Sequence, residues 1–288
     1  MNFKTFIILY SLIIFASCSI KRIDKNGAMA GDKNSKWELI WYDEFNYKGL
    51  PDSTKWSYEE GFVRNRELQY YTKARKENVR VEEGFLVIES RKEKVRNPNF
   101  HPDSSDWRYS RESAEYTSAS INTKVKAGFM YGRIEAGIQL PHGSGVWPAF
   151  WTLGVNHSEV KWPTCGEIDI LEYFGGERPN RIESNMHYGI GGKRHHRQGV
   201  VELNHPPEGF HVYAIEWYEG QVDFYFDDNK YWTFPVNLAD DGSYNSYRNP
   251  HYILLNFALG GAAASGEVDE SLLPQKYLVD YVRVYKLK

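Results

Sequence analysis

The sequence predicts an all-β protein built as two sheets packed face to face. Three observations predict it. Short runs of β-branched and aromatic residues recur between turn formers, no long stretch carries a helical period, and strands are not interleaved with the helices of a βαβ fold. At 288 residues and 41% hydrophobic content, one large sandwich with a sizeable core accommodates the folded part. A net charge of −3, with both signs spread along the chain, and a mean hydropathy of −0.60 argue against nucleic-acid binding and extended disorder.

In chain order, the first segment reads as an address. Lys4 is a short basic region, Phe6 to Ala16 is apolar but too short for a membrane span, and Ala16-Ser17 sets small residues before Cys18. This end resembles the lipobox of bacterial lipoproteins, which implies a signal peptide over residues 1–18 and lipid on Cys18. A polar linker follows over residues 19–36, and the folded domain spans residues 37–288. Expected strands are Leu39 to Tyr42, Phe85 to Ile88, Ser118 to Val125, Tyr131 to Leu140, Val212 to Trp217, Val222 to Phe226, Ile253 to Leu259 and Tyr277 to Tyr285. Glu83-Gly84, Glu219-Gly220 and Asp241-Gly242 punctuate them. Lys92 to Glu115, charged and holding Pro98 and Pro102, reads as a long loop. Gly189 to Gly209, with its cationic Lys193-Arg194-His195-His196-Arg197 run, reads as a second. The adjacent histidines lack the spacing of a metal site. Once Cys18 is modified, Cys165 is the remaining cysteine, so no internal disulfide forms, and Cys165 is expected only to pack.

The functional signal is Gly166-Glu167-Ile168-Asp169-Ile170-Leu171-Glu172-Tyr173. Strict alternation puts Glu167 and Asp169 on one face and Glu172 on the other, buried one. A buried, unpaired carboxylate costs several kcal/mol, so a β-bulge near Ile170 or Leu171 is expected, returning all three acids to one face with Ile168 in the core. Paired carboxyls flanking a bound bond are the working parts of glycoside hydrolysis. The plainer alternative is a polar sheet face paired with Lys or Arg. Nearby tryptophans favour the site: Trp147, Trp151 and Trp162 are expected to floor a sugar cleft, with His187, Asn65 and Glu135 offering hydrogen bonds at its rim. Trp147 and Trp151 as half-buried core residues is the competing placement.

Other motifs carry a resemblance. Trp41-Tyr42-Asp43-Glu44-Phe45, Glu67-Leu68-Gln69-Tyr70-Tyr71-Thr72, Glu115 to Ala119, Tyr131 to Ala136, Trp147 to Trp151, the acid run and Val279 to Tyr285 occur in the order seen in glycoside hydrolase family 16. The chain resembles the laminarinase-like β-1,3-glucanase branch of that family from Trp41 to Lys288. The resemblance implies a concanavalin A-like β-jelly-roll sandwich with a concave substrate cleft, cleaving internal β-linkages with retention. It implies Glu167 as nucleophile, Glu172 as acid/base and Asp169 between them. No cofactor is needed for the chemistry. A structural calcium away from the cleft is implied on Glu44, the Gly84 carbonyl and Asp280.

Three positions depart from the branch. Ala262-Ala263-Ala264 follows Gly260-Gly261 where a tryptophan is common, Asn65-Arg66 replaces Asn-Asn, and Gly137 replaces an arginine. The expected substrate is β-1,3-glucan (laminarin) or mixed-linkage β-glucan. The alternative is an endo-β-galactosidase of the same family acting on mucin-type O-glycans, poly-lactosamine or algal galactans. A glycan-binding lectin of similar architecture would have no use for paired acids. The expected form is a monomer, lipid-anchored at the bacterial outer membrane or cell surface.

Overall fold

The computed structural model describes residues 36–264 and 267–288; the signal peptide, Cys18 and all of the linker except Lys36 lie outside them. The described chain is a β-jelly-roll sandwich of two large, almost wholly antiparallel sheets. An outer sheet runs Asn229–Pro235, Gln221–Phe226, Phe210–Trp217, Gly132–Gln139, Gln275–Leu287, Phe85–Arg96, Ser113–Ser118 and Gln69–Tyr71. Trp37–Asp43 pairs with Gln275–Leu287, and Val79–Glu82 with Phe85–Arg96. The cleft sheet runs Lys193–Glu202, Arg181–Ile190, Glu167–Tyr173, Val146–Gly154, His251–Leu259, Ser120–Asn122 and Ser57–Tyr58.

Alternation builds the core between the sheets. Ile134, Ala136 and Ile138 of the outer sheet meet Phe150, Ile168, Ile253, Leu255 and Phe257 of the cleft sheet, all fully buried. On the other face of the cleft sheet, Ala149, Trp151, Leu153, Tyr252 and Leu254 form a separate cluster around Cys165. Cys165 is buried and unbridged, and burial pushes its thiol up to about 12, so it packs and is not a nucleophile.

Three expected elements are redrawn. Ser118 to Val125 is two strands: Ser113–Ser118 belongs to the outer sheet and Ser120–Asn122 to the cleft sheet, so the chain changes sheets at Ala119. The loop expected from Lys92 narrows, because Phe85–Arg96 extends further than its apolar part; a four-residue helix, Trp107–Ser110, lies within the remainder. The loop expected from Gly189 is largely a hairpin. Ile190 pairs with Lys193 across Gly191 (φ 56) and Gly192 (φ 73), the two left-handed positions of a tight two-residue turn. Lys193–Glu202 is an edge strand with one buried residue, Gly199, so it shows no apolar alternation; its charges suit an edge that must not pair further.

Candidate active site

The acid strand Glu167–Tyr173 lies inside the cleft sheet, between Val146–Gly154 and Arg181–Ile190. Its register slips between Asp169 and Leu171 against the first neighbour, and between Asp169 and Glu172 against the second. This is the expected bulge. It buries both Ile170 and Leu171, at 1% and 0% exposure, and turns Glu172 to the face of Glu167 and Asp169. The Ser184 hydroxyl donates to the Ile170 carbonyl at 2.8 Å, meeting an acceptor where the ladder is interrupted.

All three carboxyls line a cleft of about 760 Å³. Glu172 is held by two neutral donors, Trp147 Nε1 at 3.0 Å and Asn185 Nδ2 at 2.7 Å. His187 faces the other two, with Nε2 3.3 Å from Asp169 Oδ2 and 3.7 Å from Glu167 Oε1. The Tyr247 hydroxyl lies within reach of both the His187 and Glu167 carbonyls, at 2.9 and 3.2 Å, locking the two strands together beneath the acids. Burial drives all three carboxyls above their ordinary range. Glu167 reaches about 8, through burial first and then the charges of Asp169 and Glu172. Asp169 is raised well above its ordinary value by burial and Glu172, with only Arg194 opposing. Glu172 is raised by burial, while Asn185, His187 and Trp147 oppose. Asp169 therefore has least support for a charge.

The tryptophans divide between floor and wall. Trp147 and Trp151 are both nearly buried yet line the cleft. One face of Trp147 stacks on Phe174, 5.3 Å between centroids, while its N–H serves Glu172. Trp151 donates to Asn256 Oδ1 at 2.7 Å, and the Arg64 guanidinium lies 5.0 Å from its ring centroid. Trp162, 42% exposed, stands at the rim with Arg194 5.2 Å from its ring centroid. Asn65 also lines the cleft, in the left-handed region at φ 55, which asparagine tolerates. The Asn65 carbonyl accepts from the Ala262 amide at 2.7 Å, so two of the departures noted in the sequence touch one another at the cleft.

Two expected placements are corrected. Glu135 is not at the rim. It sits on the outer sheet, facing away from the core, where Arg133 Nε (2.7 Å) and the Tyr285 hydroxyl (3.0 Å) donate to it. Gly137 is on the same outer face, where the Tyr281 ring lies so close that a Cβ would meet it at 2.8 Å; this departure has no bearing on the cleft. Of the implied calcium donors, Glu44 is engaged elsewhere. Both Glu44 oxygens accept from Arg283, Nε at 2.7 Å and Nη2 at 2.8 Å, so a cation on Glu44 would face a guanidinium. Glu167, Asp169 and His187 bring ligand-type atoms within 4.8 Å of one another.

Sequence reasoning missed several cleft residues. Arg64 pairs with Glu59 and keeps a buried Nη1 without a hydrogen bond. Glu67, seen only as part of a family motif, is a further buried carboxyl of the cleft, its proton affinity raised by burial. Asn185 was findable: it lies opposite Asp169 in register, so it shares the acids' face once the strands are paired.

A sandwich whose bulged inner strand presents grouped acids beside tryptophans, in an open cleft, defines a carbohydrate-cleaving enzyme. Residues 67–282 match the family model for glycosyl hydrolases family 16, and the chain belongs to that family of glycoside hydrolases. It is 38% identical to a β-glucanase from Rhodothermus marinus over 96% of this chain and 93% of that protein. The solved laminarinase of the same organism superposes with a TM-score of 0.74 at 37% identity, covering 88% of this chain and 98% of that one. A solved structure described in connection with endo-acting O-glycanases, expressed by members of the human gut microbiota to initiate mucin breakdown, superposes with a TM-score of 0.82. It is 35% identical and covers 88% of this chain and 92% of that one.

Proposed function

We propose that the protein is a retaining endo-β-glycanase that cuts internal linkages of β-1,3-glucan or mixed-linkage β-glucan. The observation that carries this reading is the bulge that puts Glu167, Asp169 and Glu172 on one face of an open cleft. In the first step Glu167 attacks the anomeric carbon while Glu172 gives its proton to the departing glycosidic oxygen, leaving a glycosyl ester on Glu167. In the second, Glu172 takes a proton from water, the water oxygen attacks the same carbon, and Glu167 leaves as carboxylate. Asp169 holds a proton between them, because it has least support for a charge. The Arg64 charge favours ionised Glu167, and the Trp147 and Asn185 N–H groups aim Glu172. The near full-length likeness to a β-glucanase supports the glucan.

A second reading, cleavage of galactosyl O-glycans, is favoured by the O-glycanase neighbour and by Ala262 to Ala264 where a tryptophan is common. Reducing-end release from a glycan panel separates the two: laminarin should be cut internally, and mucin-type and keratan-type chains should resist. The opposite pattern promotes the second reading, since an axial O4 changes the stacking face and the hydrogen bonds in the reactive subsite. Glu167→Gln and Glu172→Gln should each lower turnover roughly 10³-fold or more with the fold intact. Azide should rescue Glu172→Ala on an activated aryl glycoside; rescue of Glu167→Ala instead would exchange the two roles.

The lipid anchor belongs to the same reading, placing the enzyme where it meets polymers too large to import. Cys18→Ala should abolish lipid labelling and move the enzyme out of the membrane fraction; unchanged labelling refutes the anchor.

A further inference from the structure

The hairpin strand Lys193–Glu202 carries a cationic run that the reaction does not use, and one of its residues reaches the acids through a histidine. Arg194 pairs in register with Gly189, and its Nη2 lies 3.3 Å from His187 Nδ1. The guanidinium also lies 5.2 Å from the centroid of the Trp162 ring, itself 6.2 Å from the His187 ring. A guanidinium has only N–H donors, so the His187 nitrogen it meets must carry the lone pair. A neutral imidazole with a bare Nδ1 has its hydrogen on Nε2, the nitrogen 3.3 Å from Asp169 Oδ2 and 3.7 Å from Glu167 Oε1.

We infer that Arg194 is a positioning residue that holds His187 as a neutral imidazole with its hydrogen on Nε2, the nitrogen that faces Glu167 and Asp169. An imidazolium would set N–H against N–H and cation against cation at the Arg194 contact. The groups facing His187 pull both ways. Glu167 and Glu172 on the acid strand favour the imidazolium, and Asp169, which holds a proton, adds no charge. Burial and Arg194 oppose it, and His196, whose ring lies tilted 5.7 Å away on the hairpin, adds no charge of its own while neutral. Trp162 contributes a ring to the Arg194 side and no charge. The outcome is an N–H that faces Glu167 and Asp169 without adding a permanent cation beside them.

The consequence for turnover rests on the retaining-hydrolase reading; the tautomer does not, so the two can fail separately. The test is long-range ¹H–¹⁵N correlation on the whole protein labelled at histidine, with His187 assigned by its loss in His187→Gln. The wild type should show a bare Nδ1 and a protonated Nε2 at neutral pH. Arg194→Met should raise the His187 titration by about one pH unit or more. It should also move the acid limb of the pH–kcat/KM profile and lower kcat about tenfold with KM nearly unchanged. Arg194→Lys, which still donates, should restore the wild-type tautomer. A wild-type His187 that is Nδ1-protonated or cationic at neutral pH overturns the inference, even if no variant folds. So does an Arg194→Met protein whose His187 signals and titration match the wild type. Absence of glycan cleavage by the wild type, with the expected tautomer present, sinks the hydrolase reading alone.

Discussion

At the scale of single residues, the acids store a conflict between stability and chemistry. Glu167 is pushed up to about 8 by burial and by its two acidic neighbours. The sign of the linkage follows. A carboxyl whose folded pKa lies above its unfolded value near 4.5 contributes stability that is fully present below about 4.5 and lost as pH rises toward about 8. Glu167→Gln removes that loss. The variant and the wild type should therefore melt together near pH ~4, and the variant should melt several degrees higher near pH ~9. Melting curves that track each other across this range would mean that the fold does not hold a proton on Glu167. The acids were legible in the sequence because three carboxylates in six positions cannot alternate without burying one. Glu135 was misplaced for the converse reason: it sits between Ile134 and Ala136 in a strand whose alternation reads the same in either sheet.

At the scale of elements, legibility follows apolar pattern. Strands rich in β-branched, aliphatic or aromatic residues, such as Gly132–Gln139 and Phe210–Trp217, declare themselves, and so does the bulge, because their burial is written in residue type. Lys193–Glu202 does not, since an edge strand with one buried glycine has almost no apolar face to show. Its partner supplies the pattern instead, through ten paired positions along Arg181–Ile190. The hairpin is seated on the outer sheet's edge by that glycine: a Cβ on Gly199 would meet the Trp232 indole at 2.4 Å. Trp232 lies on Asn229–Pro235, so one close contact joins the edges of the two sheets. Gly199→Val should cost about 1–3 kcal/mol in urea unfolding, by overpacking. Adding Trp232→Leu should recover part of that loss, because it removes the ring the new side chain strikes. No loss in the single variant, or no recovery in the double, would show that the indole does not seat the hairpin.

For the whole molecule, the two sheets divide the work, and their outward faces show it. The cleft sheet turns acids and tryptophans outward; the outer sheet turns outward a chain of ion pairs that binds the first described strand to the last. Arg283 grips Glu44 and lies 4.0 Å from Glu135, Glu135 holds Arg133, and Arg133 reaches Glu216, which also holds Lys36. Trp37–Asp43 pairs along Gln275–Leu287, so these contacts reinforce a junction the backbone already makes. Arg283 is 3% exposed and packs against the Tyr281 ring, 3.7 Å to the centroid, which takes its pairs out of the weak class of surface salt bridges. Truncating one partner of a buried pair leaves the other charge desolvated, so Arg283→Ala should destabilise by roughly 3–5 kcal/mol. Arg283→Met with Glu44→Gln removes both charges and keeps the stem's bulk, and should recover most of it. Because the network lies on the sheet opposite the acids, kcat of the folded fraction should stay near wild type in every variant. A single variant as stable as the wild type would show that the pairs are solvated in solution. A large fall in kcat without unfolding would show that the outer face sets the cleft's geometry.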